Sequence, residues 1–234
     1  MAGVILLGTE PRVGKTYASI LLLQELLRLG QNPAYFKFAA TGIASLERSE
    51  AAVVQASCRL DQNLNDMIPY YCTASGPVHL AARRAMHFIN ERAITERFAW
   101  SLATHSHIVV EGVGEVVSPL IMERDQVLLQ EDLIFKLQLK VILIVRMSAA
   151  ALNNSVLAVN YLKSISKSPC GIIINAFNEH NYAHLDSLDL IERCTQTPVL
   201  ATIGKNSELM NLRCNLLYTL ALPDDEEALD EAPE

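Results

Sequence analysis

The sequence predicts an α/β fold, a mostly parallel β-sheet with helices packed on both faces. Three observations predict it. Short apolar runs alternate with longer segments whose apolar residues recur at helical spacing. Val141–Val145 is built only of Val, Ile and Leu, as a parallel strand covered on both faces should be. The first apolar run, Val4–Leu7, passes through a Gly-Lys-Thr turn into a helical pattern.

In chain order, Val4–Leu7 reads as a buried strand ending at Gly8, and Gly14–Arg28 as a helix stopped by Gly30. Ala34–Phe38 reads as a second strand and Ala44–Ala56 as a helix. Asp61–Gly76 is polar and turn-rich and reads as loop. Val78–Asn90 and Ile94–Thr104 read as helices, and His107–Val110 as a strand closed by Glu111-Gly112. After Val141–Val145 come a helix over Ala149–Leu162, a strand over Gly171–Ile174 ending at Asn175, and a helix over His184–Cys194. A strand over Val199–Ile203 and a helix over Ser207–Leu220 complete the pattern. No repeat or linker divides the chain, so residues 1–222 form one domain. The acidic segment from 223 to 234 reads as a solvated, disordered tail.

Half of the 234 residues are hydrophobic, enough for a sizeable core. A net charge of −7, with no Lys/Arg run, argues against nucleic-acid binding, which needs a basic surface. The five cysteines form no CxxC pair and are odd in number, which suits free thiols in a reducing compartment. Val4–Leu7 has no basic flank and is too short for a signal peptide or a membrane span, so a cytoplasmic protein without a membrane partner is expected.

The chemistry concentrates in Gly8-Thr9-Glu10-Pro11-Arg12-Val13-Gly14-Lys15-Thr16, which follows a strand and opens a helix. That is the context of a P-loop, and the expected fold is the three-layer fold of P-loop nucleoside triphosphatases. Backbone N–H groups around Gly14 and the helix N-terminus would face phosphate oxygens. Lys15 would reach the β- and γ-phosphates, and the Thr16 hydroxyl would ligate Mg²⁺. Glu111, at the end of a strand beside the P-loop strand, is where a second Mg²⁺ ligand belongs. Read alone, Lys37 is better taken as a strand-edge lysine reaching solvent. His79 reads as a helix-start residue with a satisfied imidazole.

Several segments, in order, resemble the dethiobiotin synthetase family. Gly8–Thr16 is similar to that family's GTDTxVGKT loop, five-residue spacer included, and Phe36-Lys37-Phe38-Ala39-Ala40-Thr41-Gly42 to its KPVxSG strand. Pro69-Tyr70 and Pro77–Ala82 resemble its PY and SPHLAA segments. Glu111-Gly112-Val113-Gly114 with Pro119-Leu120 resembles EGAGGxxxPL, and Asn175 stands where the family has an adenine-contacting Asn. The resemblance implies an ATP-dependent cyclo-ligase. It would join 7,8-diaminopelargonic acid and CO₂ (or bicarbonate) through a carbamate and a carbamic–phosphoric anhydride, using ATP and Mg²⁺.

The resemblance also assigns residues. Lys15 and Lys37 would be catalytic and, with Thr41, would bind substrate. Thr16, Glu50 and Glu111 would hold Mg²⁺, with Glu50 replacing a shorter Asp. Arg12, Val13, Gly14, Tyr17, Gly112, Val113 and Gly114, with Lys15, Thr16, Glu50 and Glu111, would bind the nucleotide. Asn175, Ala176, Ile203, Gly204 and Lys205 would meet the base. A homodimer is implied, with Pro69–Tyr71 and Ala149–Leu162 as candidate interface. Arg12, in place of an acidic residue, and Glu115, in place of a glycine, depart from the family pattern. They keep open a divergent nucleotide-binding paralogue, or a P-loop ATPase switch without synthetase activity.

Overall fold

The computed structural model describes residues 2–87 and 89–221. The predicted tail lies outside these residues. Strand β1 (Ala2–Gly8) leads through the P-loop into α1 (Lys15–Arg28), then β2 (Pro33–Phe36) and the short β3 (Ala40–Thr41). A 3-10 turn over Leu46–Arg48 precedes α2 (Glu50–Cys58), α3 (Leu64–Met67) and β4 (Tyr71–Cys72). Helices α4 (Val78–Arg84) and α5 (Glu91–Thr104) lead to β5 (His107–Glu111). The antiparallel pair β6 (Pro119–Met122) and β7 (Val127–Leu129) and helix α6 (Gln130–Lys136) follow. The chain continues through β8 (Lys140–Arg146), α7 (Ala151–Ser164), β9 (Gly171–Phe177), α8 (Tyr182–Thr195), β10 (Val199–Gly204), β11 (Asn211–Leu212) and α9 (Leu216–Ala221).

Seven strands form the main sheet in the order β11-β10-β9-β8-β1-β5-β2. All its pairings are parallel except β10 with β11. Strand alternation splits the core between two faces. Ile5, Leu7, Val110, Leu143 and Ile174 pack with Phe98, Leu133 and Val159 on one side. Val4, Leu6, Val109, Ile142 and Ile173 pack with Leu22, Leu26 and Val54 on the other. No described helix is long and apolar enough to cross a membrane.

Three sequence expectations are corrected. The stretch expected as loop over Asp61–Gly76 contains α3 and β4, the latter pairing with β3. The helix expected over Val78–Asn90 stops at Arg84, where Ala85 leads into Met86 with positive φ. The helix expected over Ser207–Leu220 is β11 followed by α9. Asn211 and Leu212 pair with Thr202 and Ala201 of β10, and this long-range pairing overrides the helical spacing.

Strand β1 sits between β5 and β8, so the sheet grows away from it in both directions. The crevice beyond the C-terminal ends of such central strands is where open α/β sheets bind ligands.

Candidate active site

The P-loop turns sharply because two of its residues adopt left-handed backbone, Arg12 at φ 57 and Gly14 at φ 101. A side chain on Gly14 would also run into the Asn175 amide. Glycine there lets the loop close onto the first turn of α1, leaving that turn's N–H groups to meet an anion. On the other side of the crevice, the Gly112 N–H donates to Leu6 O at 3.0 Å. A Cβ on Gly112 would lie 2.9 Å from the same oxygen, so the loop after β5 can hug β1 only as glycine.

Side chains from α1, β2 and the residue after β2 converge on Glu111, the last residue of β5, which is 1 % exposed. Its Oε1 accepts from the Thr16 hydroxyl at 3.1 Å and from Lys37 Nζ at 2.7 Å. Its Oε2 accepts from the Tyr35 hydroxyl at 3.0 Å. Lys37 Nζ also pairs with Glu50, the first residue of α2. Ser49 caps that helix, accepting from the Ala52 N–H at 3.3 Å. The reading of Lys37 as a strand-edge lysine in solvent is corrected: it is 7 % exposed and points inward. Tyr35, in β2, and Lys37, just after it, are two residues apart and reach the same carboxylate.

Charge follows geometry. Burial alone would lower the Lys37 pKa, but the Glu111 and Glu50 charges and hydrogen bonds outweigh it and hold it above its ordinary value. Lys15 is lowered, first by burial and further by the Lys37 charge, with Glu111 opposing. Its Nζ donates to Gly114 O at 2.5 Å. Burial, then Glu111, pushes the Tyr35 phenol well above its ordinary value, so it remains a donor.

Lys15, Lys37, Glu50 and Glu111 share a cavity of about 830 Å³, with Tyr35 buried behind it. Of the residues expected at the site, Arg12–Tyr17, Lys37, Thr41, Glu50 and Glu111–Gly114 line it. Thr41 donates its hydroxyl to Gly76 O at 2.9 Å. The expected base-contacting residues lie outside this cavity and reach the P-loop by two links. Asn175, in β9, donates its amide to Val13 O at 2.8 Å, and Ala176 follows with φ 58. Ile203 and Gly204 end β10, Lys205 follows, and the Tyr17 hydroxyl of α1 donates to Ser207 O in the same turn.

Sequence reasoning passed over Tyr35. Its signal was a tyrosine inside a buried strand, whose hydroxyl must find a partner. It also took the His79 imidazole as satisfied. His79 lines the cavity, and its buried Nδ1 has no hydrogen-bond partner among the described residues.

The donor set fits a hard divalent cation. Thr16 and Lys37 both donate to Glu111 Oε1, and Lys37 also pairs with Glu50, so hydroxyl and carboxylate oxygens of the kind such a cation takes lie close together here. No group of three or more His, Cys, Asp or Glu among the described residues could hold a metal. Such a cation would therefore depend on Thr16 and on phosphate oxygens, as Mg²⁺ commonly does.

The profile of a family described as AAA domain matches residues 2–213. The ATP-dependent dethiobiotin synthetase BioD of Clostridium kluyveri is 29 % identical over 214 residues, covering 89 % of this chain and 88 % of that protein. Its counterpart in Clostridium perfringens is 27 % identical over 222 residues, covering 92 % and 96 %. Among solved structures, the MinC:MinD cell division protein complex of Aquifex aeolicus aligns with a TM-score of 0.52 at 12 % identity, over 89 % of this chain and 83 % of that one. FlhF complexed with GMPPNP/Mg(2+) aligns with a TM-score of 0.51 at 13 % identity, over 93 % and 72 %. At such identities the two structures bear on the fold alone.

Proposed function

Because the chain belongs to the AAA-domain family that includes the dethiobiotin synthetases, we propose that it is an ATP-dependent dethiobiotin synthetase acting in biotin biosynthesis. The observation that carries the reading is the placing of two lysines, Lys15 from the P-loop and Lys37 from beyond β2, in one cavity with Glu111.

An amine of 7,8-diaminopelargonic acid attacks CO₂ and loses a proton, giving a carbamate. A carbamate oxygen attacks the γ-phosphorus of ATP, and ADP leaves. The second amine attacks the carbamoyl carbon and loses a proton, and phosphate departs with the bonding pair as the ureido ring closes. Every intermediate carries negative charge where Lys15 and Lys37 can meet it, so catalysis is mostly positioning and electrostatic stabilisation. Thr41 orients the substrate by its hydroxyl. Arg12, Val13, Gly14, Tyr17 and Gly112–Gly114 contact the nucleotide phosphates, and Asn175, Ala176 and Ile203–Lys205 contact the base. Thr16, Glu50 and Glu111 would hold Mg²⁺, which supplies charge neutralisation on the phosphates when bound. Glu50, a methylene longer than the family's Asp, would supply one of the carboxylates. The enzyme works in the cytoplasm as a homodimer. Exposed Leu157 of α7 and Tyr71 support the apolar surface this needs, and sedimentation of the purified chain tests it.

The deciding experiment supplies Mg²⁺, ATP, bicarbonate and 7,8-diaminopelargonic acid, and follows phosphate release with dethiobiotin by mass spectrometry. Equal amounts of both products, lost in Lys37→Ala, support the reading. ATP binding without dethiobiotin leaves only a nucleotide-binding P-loop protein.

A further inference from the structure

Three carboxylates line the cavity, those of Glu50, Glu111 and Glu115. Glu50 and Glu111 are both paired with Lys37. Glu115 makes no ion pair among the described residues, yet it is half-buried on the cavity wall. Its main chain is pinned. The Glu115 carbonyl accepts from the Ser118 hydroxyl at 3.2 Å and from the Gln130 amide. The same fully buried Gln130 holds the Val116 carbonyl at 2.8 Å and the Val113 N–H at 3.2 Å. Immediately before it, the Gly114 carbonyl takes the Lys15 ammonium. The loop is thus braced from α6, and the Glu115 charge faces Lys15 across the cavity, opposing in part the burial that lowers the Lys15 pKa. Arg12, Lys15 and Lys37 supply the cationic part of the wall, suited to phosphate and carbamate. A diamine also brings positive charge, and those three residues repel it.

We propose that Glu115 is a specificity-determining residue that binds the ammonium group of the diamine substrate, the nitrogen not yet carboxylated, while the lysines hold the anionic end. The assignment rests on the synthetase reading. Glu115 selects substrates with a second basic nitrogen over monoamines of the same length.

The test compares wild type, Glu115→Gln and Glu115→Asp by steady-state kinetics, and by calorimetric titration of the diamine in the presence of a non-hydrolysable ATP analogue. Glu115→Gln keeps the size of the side chain and one acceptor oxygen, and removes its charge and its second acceptor. The expected result is a KM for the diamine raised about tenfold, the margin of a charge-assisted over a neutral hydrogen bond. The KM for ATP stays unchanged, Glu115→Asp recovers part of the loss, and the penalty shrinks as pH rises through the titration of the substrate amine. An unchanged KM for the diamine, or equal rises for diamine and ATP, overturns the proposal. If the wild type forms no dethiobiotin, the synthetase reading fails separately. Calorimetry still decides Glu115, since weaker diamine binding by the glutamine variant supports it and equal binding overturns it.

Discussion

Replacing Tyr35 by Phe removes one oxygen from a fully buried site and leaves the ring packing intact. Tyr35 is 0 % exposed, and its backbone is held by buried Gln62, which accepts from the Tyr35 N–H at 2.7 Å and donates to its carbonyl at 3.2 Å. The ring therefore stays in place, and what disappears is the hydrogen bond to Glu111 Oε2 at 3.0 Å. A hydrogen bond to a charged acceptor contributes about 1.5–3 kcal/mol, and the orphaned oxygen is too buried for water to replace the phenol freely. Stability should fall by about 2 kcal/mol. For a domain of this size that is roughly 4–8 °C in Tm. Urea unfolding of Tyr35→Phe, Glu111→Gln and the double variant at neutral pH isolates the pair. The coupling should be about 1–2 kcal/mol, because amide and phenyl no longer meet as acceptor and donor. Freed from one anchor, Glu111 should also hold Thr16 and Lys37 less well, lowering kcat. Additive losses in the cycle, or a Tm within about 1 °C of wild type, would refute the view that Tyr35 positions this carboxylate.

Lys37 has its folded-state pKa held above the ordinary lysine value of 10.5 by Glu111 and Glu50, against the effect of burial. Its stabilisation is therefore complete below about 10.5 and is lost as pH rises through the higher folded value, so wild type should lose stability more steeply than Lys37→Met across the alkaline range in pH-dependent melts. Gly14→Ala forces a side chain onto φ 101 and into the Asn175 amide; fluorescent-nucleotide titration should show at least a tenfold loss of affinity, with about 1–2 kcal/mol of stability lost. Burial pushes the Cys58 thiol up to about 11, whereas Cys194 is exposed. Maleimide at pH 8 should label Cys194 in the native protein and reach Cys58 only after unfolding, which peptide mapping reads out.

The P-loop was readable because everything that makes it is local. Gly8, Gly14, Lys15 and Thr16 lie within one strand–turn–helix, and the strand and helix on either side announce themselves by their own periodicity. The central strands were readable for a similar reason, since Val141–Val145 is apolar on both faces wherever it sits in the sheet. The Ser207–Leu220 segment failed because its apolar spacing suits a helix while β10 offers it an edge to pair with. No window along the sequence contains that edge.

The rest of the site depends on sheet order, which periodicity does not encode. Glu111 meets Tyr35 and Lys37 only because β5 enters the sheet between β1 and β2, so that Val109 and Val110 lie in register with Tyr35 and Phe36. Were β2 placed away from β5, at the far edge of the sheet, the same residues would form the same strands, and neither Tyr35 nor Lys37 would lie beside Glu111. Lys37 would then have been the solvent lysine that its composition and position suggest. Its burial is thus a consequence of topology, and so is the raised pKa that follows from it. The departures from the family pattern behave the same way. Glu115 reads in sequence as a glycine lost from a loop. In the fold it is a charge on a wall whose backbone was already braced by Gln130 from another element. Glu115 does not adopt a positive φ, so its backbone does not require glycine and the position accepts a carboxylate facing the cavity.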